Sequence, residues 1–267
     1  MRKHKEKIEI GIVIGIFSVI IIACIVSIFS QIYIENKEKE EFKQLSKIVS
    51  EETTVPTIAF KKPMLLKVSG FNNSIKDKES IYYYQPHSVA DLMSMNSDCF
   101  GWISIAGTNI NYPVMHTPDN PQKYLNRKFY GEYSFSGTPF LDARCSSDST
   151  NLIVYGHHMN NGTMFADLCN YTDYSYFADH PTVLLETQKG ALSYTVFAVM
   201  KVKSDDDWYK FTTALTENRY NSMSEYAKEK SIYNTGITPK YGQQILTLST
   251  CYGYNQDDRI LVLAVRN

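Results

Sequence analysis

No Cys-x-x-Cys pair and no histidine-rich tract occurs in the 267 residues, and the five cysteines (Cys24, Cys99, Cys145, Cys169 and Cys251) are widely spaced. Zinc sites draw their ligands from short, regular spacings, so a zinc site is not expected here, nor any other metal or cofactor. Neither charge is in excess: 27 Lys and Arg against 28 Asp and Glu leave a net charge of -1. A phosphate-binding surface needs a basic surplus, which excludes nucleic acid as the main partner. Internal repeats and low-complexity tracts are also missing.

An odd number of cysteines leaves at least one thiol free, and Cys99, Cys145 and Cys169 read as small buried hydrophobes. The length suits one medium domain with appendages. Tyr (20) and Phe (13) are plentiful, as in β cores and in grooves that grip extended ligands.

One long apolar run is present. Ile10 to Phe29 carries no charge and continues with little interruption to Ile34. About 20 such residues span a bilayer's hydrocarbon core. Arg2, Lys3, Lys5 and Lys7 precede the run, which places the N-terminus in the cytoplasm and everything beyond Ile34 outside. A cleaved signal peptide would have a shorter apolar region and a small-x-small site, which Ser27 to Gln31 does not supply. The expected organisation is a cytoplasmic tail (1–9), a single membrane-spanning helix (10–34), a charged stalk and linker (35–87) and a folded domain (88–267).

Within the stalk, Glu35 to Ser50 places Phe42, Leu45 and Val49 at helical spacing, and Thr53 to Pro63 reads as an extended linker. Ser88 is placed to cap a short helix carrying Val89, Leu92 and Met93. Strands follow at Trp102–Ile105, Ile110–Met115, Thr138–Leu141, Asn151–Tyr155, Thr182–Glu186, Ser193–Lys203, Gln244–Thr250 and Ile260–Val265, each short, β-branched or aromatic, and bounded by turn residues. The domain is therefore mainly β with helical additions, and eight strands fit a closed or nearly closed barrel. Thr213 to Ser231 lacks Gly and Pro and carries Leu215, Met223, Tyr226 and Ala227; it reads as a helix before the penultimate strand.

Three residues draw attention for chemistry. Cys251 ends the strand Thr247-Leu248-Ser249-Thr250 next to a loop, Tyr252 to Asn255, where a thiol meets solvent. One histidine of the pair His157-His158, which follows Asn151 to Gly156 at another strand end, can serve there as general acid or base. Arg259 opens the last strand eight residues past Cys251, so two strands joined by a short loop put the two side by side. A guanidinium there stabilises a developing oxyanion, and a nearby cation favours a thiolate nucleophile. The plainer alternative for Arg259 is a salt bridge to Asp257 or Asp258.

With these residues in view, the stretch from Ser88 to the C-terminus resembles the class B sortases of Gram-positive bacteria. The resemblance rests on Gly101-Trp102-Ile103, Gly107-Thr108, Asn111-Tyr112-Pro113-Val114, Asp119-Asn120, Tyr124-Leu125-Asn126, Tyr155-Gly156-His157-His158-Met159 with Thr163-Met164-Phe165, and Thr247 to Cys251 with Arg259. It implies an eight-stranded sortase-type barrel and a cysteine transpeptidase. Such an enzyme cleaves a C-terminal sorting signal of a surface protein after threonine, holds the product as a thioester, and passes it to an amine of the peptidoglycan precursor. It further implies Cys251, His157 and Arg259 as the catalytic set. Asn120, Leu125, Tyr155, Ser204, Trp208, Tyr209 and Ser249 are implied as groove residues, with Tyr209 larger than the aliphatic side chain expected at its place. Two other readings compete. An L,D-transpeptidase orders His before Cys but has glycine just before the cysteine, which is absent here. A membrane-tethered scaffold that binds peptides without cutting them predicts a missing catalytic residue, yet all three are present.

Overall fold

A computed structural model describes residues 2–51, 58–61, 81–84, 87–214, 216–253, 255 and 257–267. The chain divides into two compact units, 1–43 and 44–267. Helix α1 (Arg2–Glu51) forms the first and runs on into the second. The large apolar side chains between Ile12 and Ile34, among them Phe17 and Phe29, are exposed, and by length and composition the helix is a candidate membrane span, while Phe42 and Leu45 are buried.

In the second unit, strands β1 (Ile58–Lys61) and β2 (Ile81–Tyr84) pair antiparallel as a separate two-stranded sheet. The linker expected over Thr53–Pro63 thus contains a paired strand; its other residues lie outside those described. Helix α2 (Val89–Met95) begins as the sequence indicates, with the Ser88 hydroxyl accepting from the Asp91 N–H. His87, just before it, is buried. Its backbone N–H donates to both oxygens of Glu186 at 3.0 Å, its Nδ1 meets the same carboxylate at 2.9 Å, and its ring stacks on Trp102. This pairing fastens the entry to the domain onto the barrel wall.

The barrel strands are β3 (Cys99–Ser104), β4 (Asn111–Met115), β5 (Phe140–Leu141), β6 (Asn151–Tyr155), β7 (Thr182–Thr187), β8 (Gly190–Lys203), β9 (Ile245–Cys251) and β10 (Asp258–Arg266). They close in the order β10-β8-β7-β3-β4-β5-β6-β9, so every barrel edge is paired. Two pairings are parallel, β4 with β5 and β6 with β9. The second brings the C-terminal ends of β6 and β9 to one end of the barrel. Strand β10 returns antiparallel from β9, and β8 ends beside the start of β10, so four strand termini meet there.

Alternation sorts the side chains. Leu152, Val154, Leu246, Leu248, Ile260, Val262 and Ala264 fill one core, while Ile245, Leu261, Leu263 and Val265 join a second core on the opposite face. Strand β10 is apolar on both faces, which is why Ile260–Val265 reads as an unbroken hydrophobic run. Helix α3 (Tyr174–Asp179) is capped by Asp173. Helix α4 (Glu217–Lys230) covers the second core with Tyr220 and Ala227. It starts later than the expected Thr213 because the Thr216 hydroxyl caps it, accepting from the Arg219 N–H. Leu215 lies outside the described residues.

Candidate active site

The parallel register of β6 and β9 sets Tyr155 beside Ser249. Gly156 and His157 leave the sheet next to Thr250 and Cys251. Two hydrogen bonds hold this exit: the Gly156 N–H donates to the Ser249 carbonyl at 3.1 Å, and the Thr250 hydroxyl donates to the Gly156 carbonyl at 2.7 Å. A Cβ on residue 156 would sit 2.7 Å from the Phe165 ring, so glycine alone fits the close approach. On the other side of β9, Arg259 is the direct cross-strand partner of Cys251. Directly paired residues share a face, and Ser249, Cys251, Tyr155 and Arg259 all fall on the side away from the inner barrel core.

These residues line one groove of about 660 Å³, together with Leu125, Ser204, Tyr209, His157, Gln122, Asp142 and Arg144. Cys251 is exposed at its strand end. The His157 ring donates from Nε2 to the Leu125 carbonyl at 2.9 Å, which fixes its orientation. Arg259 donates from one terminal nitrogen to the Asp258 backbone carbonyl at 2.9 Å, while the Asp258 carboxylate is bridged by Lys203. Cys99 and Cys145 are buried in the domain. Burial pushes Cys99 up to about 12 and Cys145 to about 11.

The far wall of the groove is a polar network. Arg144 clasps the Asp142 carboxylate with two bonds of 2.8 and 2.6 Å and also donates to the Tyr209 carbonyl. The Tyr155 hydroxyl donates to Asp142 at 2.8 Å, and the Tyr209 hydroxyl meets the Ser249 hydroxyl at 2.8 Å. Burial raises the Asp142 carboxyl, but the bonds from Arg144 and Tyr155 outweigh it and hold it below the usual carboxylate range. Burial pushes Tyr209 up to about 12, so its phenol stays neutral and able to donate.

Of the groove residues implied by resemblance, the structure gathers Leu125, Tyr155, Ser204, Tyr209 and Ser249. Trp208 is a correction. It is fully buried in the second core, with its indole N–H donating to the Thr247 hydroxyl at 3.0 Å, so it supports the wall from behind and does not face the groove. Asn120 also departs from expectation. It sits exposed in a turn closed by its N–H on the Thr117 carbonyl, and its neighbours Pro121 and Gln122 line the groove instead. Trp208→Phe is therefore expected to lower stability by about 1–2 kcal/mol through the lost indole bond, with KM for a peptide substrate unchanged; thermal melts and steady-state kinetics check both. Asp142 and Arg144 escaped the sequence reading, since only the pairing of β5 with β6 brings them to the groove. A second cavity, of about 620 Å³ and reached by Lys189, Gln244 and Arg266, has no thiol or imidazole in its lining.

Residues 103–267 match the sortase domain family. The chain is 33% identical to sortase B of Listeria monocytogenes over 166 residues, 61% of this chain and 66% of that protein, just under two thirds of its length. Among solved structures, sortase B from Bacillus anthracis in complex with AAEK1 superposes with a TM-score of 0.66 at 28% identity, covering 88% of this chain and 97% of that one. A Staphylococcus aureus sortase B–substrate complex gives a TM-score of 0.63 at 31% identity, covering 67% and 84%. Fold and site together define a cysteine transpeptidase built on a closed barrel. The chain belongs to the sortase family, in its class B branch.

Proposed function

We propose that the protein cleaves a C-terminal sorting signal after threonine and transfers the new carboxyl terminus to an amine of the peptidoglycan precursor. The observation that carries this reading is the direct pairing of Cys251 with Arg259 in a groove shared with His157. The Cys251 sulfur, as thiolate, attacks the threonine carbonyl carbon. Arg259 donates to the oxygen as it gains negative charge. His157 gives a proton to the departing amine as the peptide bond breaks, leaving a thioester. The incoming amine then attacks the thioester, His157 takes its proton, and the sulfur leaves as the new amide forms. Leu125, Tyr155, Ser204, Tyr209 and Ser249 hold the extended peptide.

In this reading residues 88–267 are the catalytic domain, 10–34 the single membrane span, 35–87 the stalk and 1–9 the cytoplasmic tail. The basic residues before the span keep the N-terminus inside and the groove outside, where surface proteins and the wall precursor are found.

The test is to incubate the protein with a library of threonine-containing peptides, with and without a short amine-bearing peptide, and weigh the products. Fragments ending in threonine, replaced by a threonine–amine conjugate when the amine is present, are expected. Cleavage at other residues, or binding without cleavage, would overturn the reading. Arg259 supplies a finer test. Arg259→Lys keeps the charge but loses the planar fork, so turnover is expected to fall about 10²-fold with the melting temperature nearly unchanged. A structural salt bridge would give the reverse, near-normal turnover with lost stability.

A further inference from the structure

Cys169 differs from Cys99 and Cys145 in being only half-buried, and in the company it keeps. It lies in the 3-10 turn Ala166–Thr172. Its sulfur is 3.8 Å from the carbonyl oxygen of Cys251 and 3.5 Å from Nδ1 of His158. The same His158 nitrogen is 3.2 Å from that carbonyl. Cys169, His158 and the Cys251 backbone thus form one contact just outside the groove, and neither Cys169 nor His158 lines it.

Disulfides form where Cα atoms are roughly 4.4–6.8 Å apart. The Cys169 sulfur, 3.8 Å from the Cys251 carbonyl oxygen, makes the two residues near neighbours. Cys251 ends its strand and is exposed, so its side chain has room to turn about Cα–Cβ. Burial, and then the charge of Cys251, raise the Cys169 thiol to about 11. Cys169 therefore waits as a neutral thiol beside the His158 ring, whose Nδ1–H donates to the Cys251 carbonyl.

We infer that Cys169 is the resolving thiol of Cys251, making the pair a reversible modification site. A peroxide, the oxidant, accepts two electrons from the Cys251 sulfur: the O–O bond breaks, one oxygen passes to sulfur as the sulfenic acid, and the other leaves as water (or, from an alkyl peroxide, as an alcohol). The Cys169 sulfur then attacks the sulfenic sulfur. An S–S bond forms, the S–O bond breaks, and the oxygen leaves as water carrying the proton released by Cys169. A dithiol reductant restores both thiols. The disulfide shields Cys251 from irreversible oxidation to the sulfinic acid. That it also stops turnover rests on the reading of Cys251 as nucleophile.

The experiment uses the full chain in detergent, treated with hydrogen peroxide, alkylated, digested without reductant and mapped by mass. Turnover is followed before and after dithiothreitol. In the wild type, a Cys169–Cys251 linked peptide is expected, with turnover lost and then recovered. Cys169→Ser, with basal turnover unchanged under reducing conditions, is expected to give Cys251 sulfinic acid and no recovery; Cys169→Ala repeats the test without a hydroxyl in the pocket. Sulfinic acid in the wild type with no linked peptide, or equal recovery in wild type and variants, would overturn the pairing. A linked peptide with undiminished turnover would keep the pairing and refute Cys251 as nucleophile.

Discussion

Cys251→Ala is expected to bring peptide cleavage and amine transfer to background, a loss on the order of 10⁴-fold or more, because a covalent mechanism has no second route to the thioester. The fold should tolerate the change. Cys251 is exposed and ends its strand, so removing its sulfur opens no cavity and breaks no ladder bond. The other cysteines give the contrast. Cys99 and Cys145 are buried, with sulfurs that donate to the Gly101 and Asn151 carbonyls. Their alanine variants should lose stability and keep turnover per folded molecule. Turnover and melting temperature, measured on all three variants, separate a nucleophile from a packed thiol. Full activity in Cys251→Ala would end the proposal.

His157→Ala is expected to be the next most damaging change, about 10²–10⁴-fold in turnover, the usual range for a general acid–base group. Both half-reactions should suffer, since one imidazole protonates the leaving amine and deprotonates the incoming one. Single-turnover acylation and amine transfer can be timed separately to see this. His158 is the natural control. It is adjacent in sequence, but its ring faces the Cys251 carbonyl and Cys169 rather than the groove. His158→Ala should cost far less than His157→Ala, and a reversed ranking would move the proton-transfer role one residue along.

The barrel was legible in the sequence because its strands are short β-branched or aromatic runs set between turn residues, and Asn151–Tyr155 matches the observed β6 residue for residue. The neighbouring of Cys251 and Arg259 was legible too, since a separation of eight residues between two strands leaves room only for a short antiparallel return. What was not legible depends on distant chain. Nothing local says that Trp208 points inward while Tyr209 faces the groove; the choice follows from the Thr247 hydroxyl waiting on β9 for the indole. Asp142 and Arg144 reach the groove only through the pairing of β5 with β6. The clasp between His87 and Glu186 spans 99 residues. The start of α4 is set by the Thr216 cap, which the absence of Gly and Pro from Thr213 onward does not reveal. Cys169 read as an ordinary buried thiol, and its place beside Cys251 depends on how the turn Ala166–Thr172 packs against β9.

The most direct test of the central claim is to trap the acyl-enzyme and locate it. The protein is mixed with a cleavable threonine peptide in the absence of an amine acceptor, quenched in acid, digested and mapped by mass. The expected result is a peptide containing Cys251 that carries the acyl fragment ending in threonine, and that loses it to hydroxylamine as a thioester does. An acyl group on Cys169 or any other residue, or cleavage with no covalent intermediate, would contradict it.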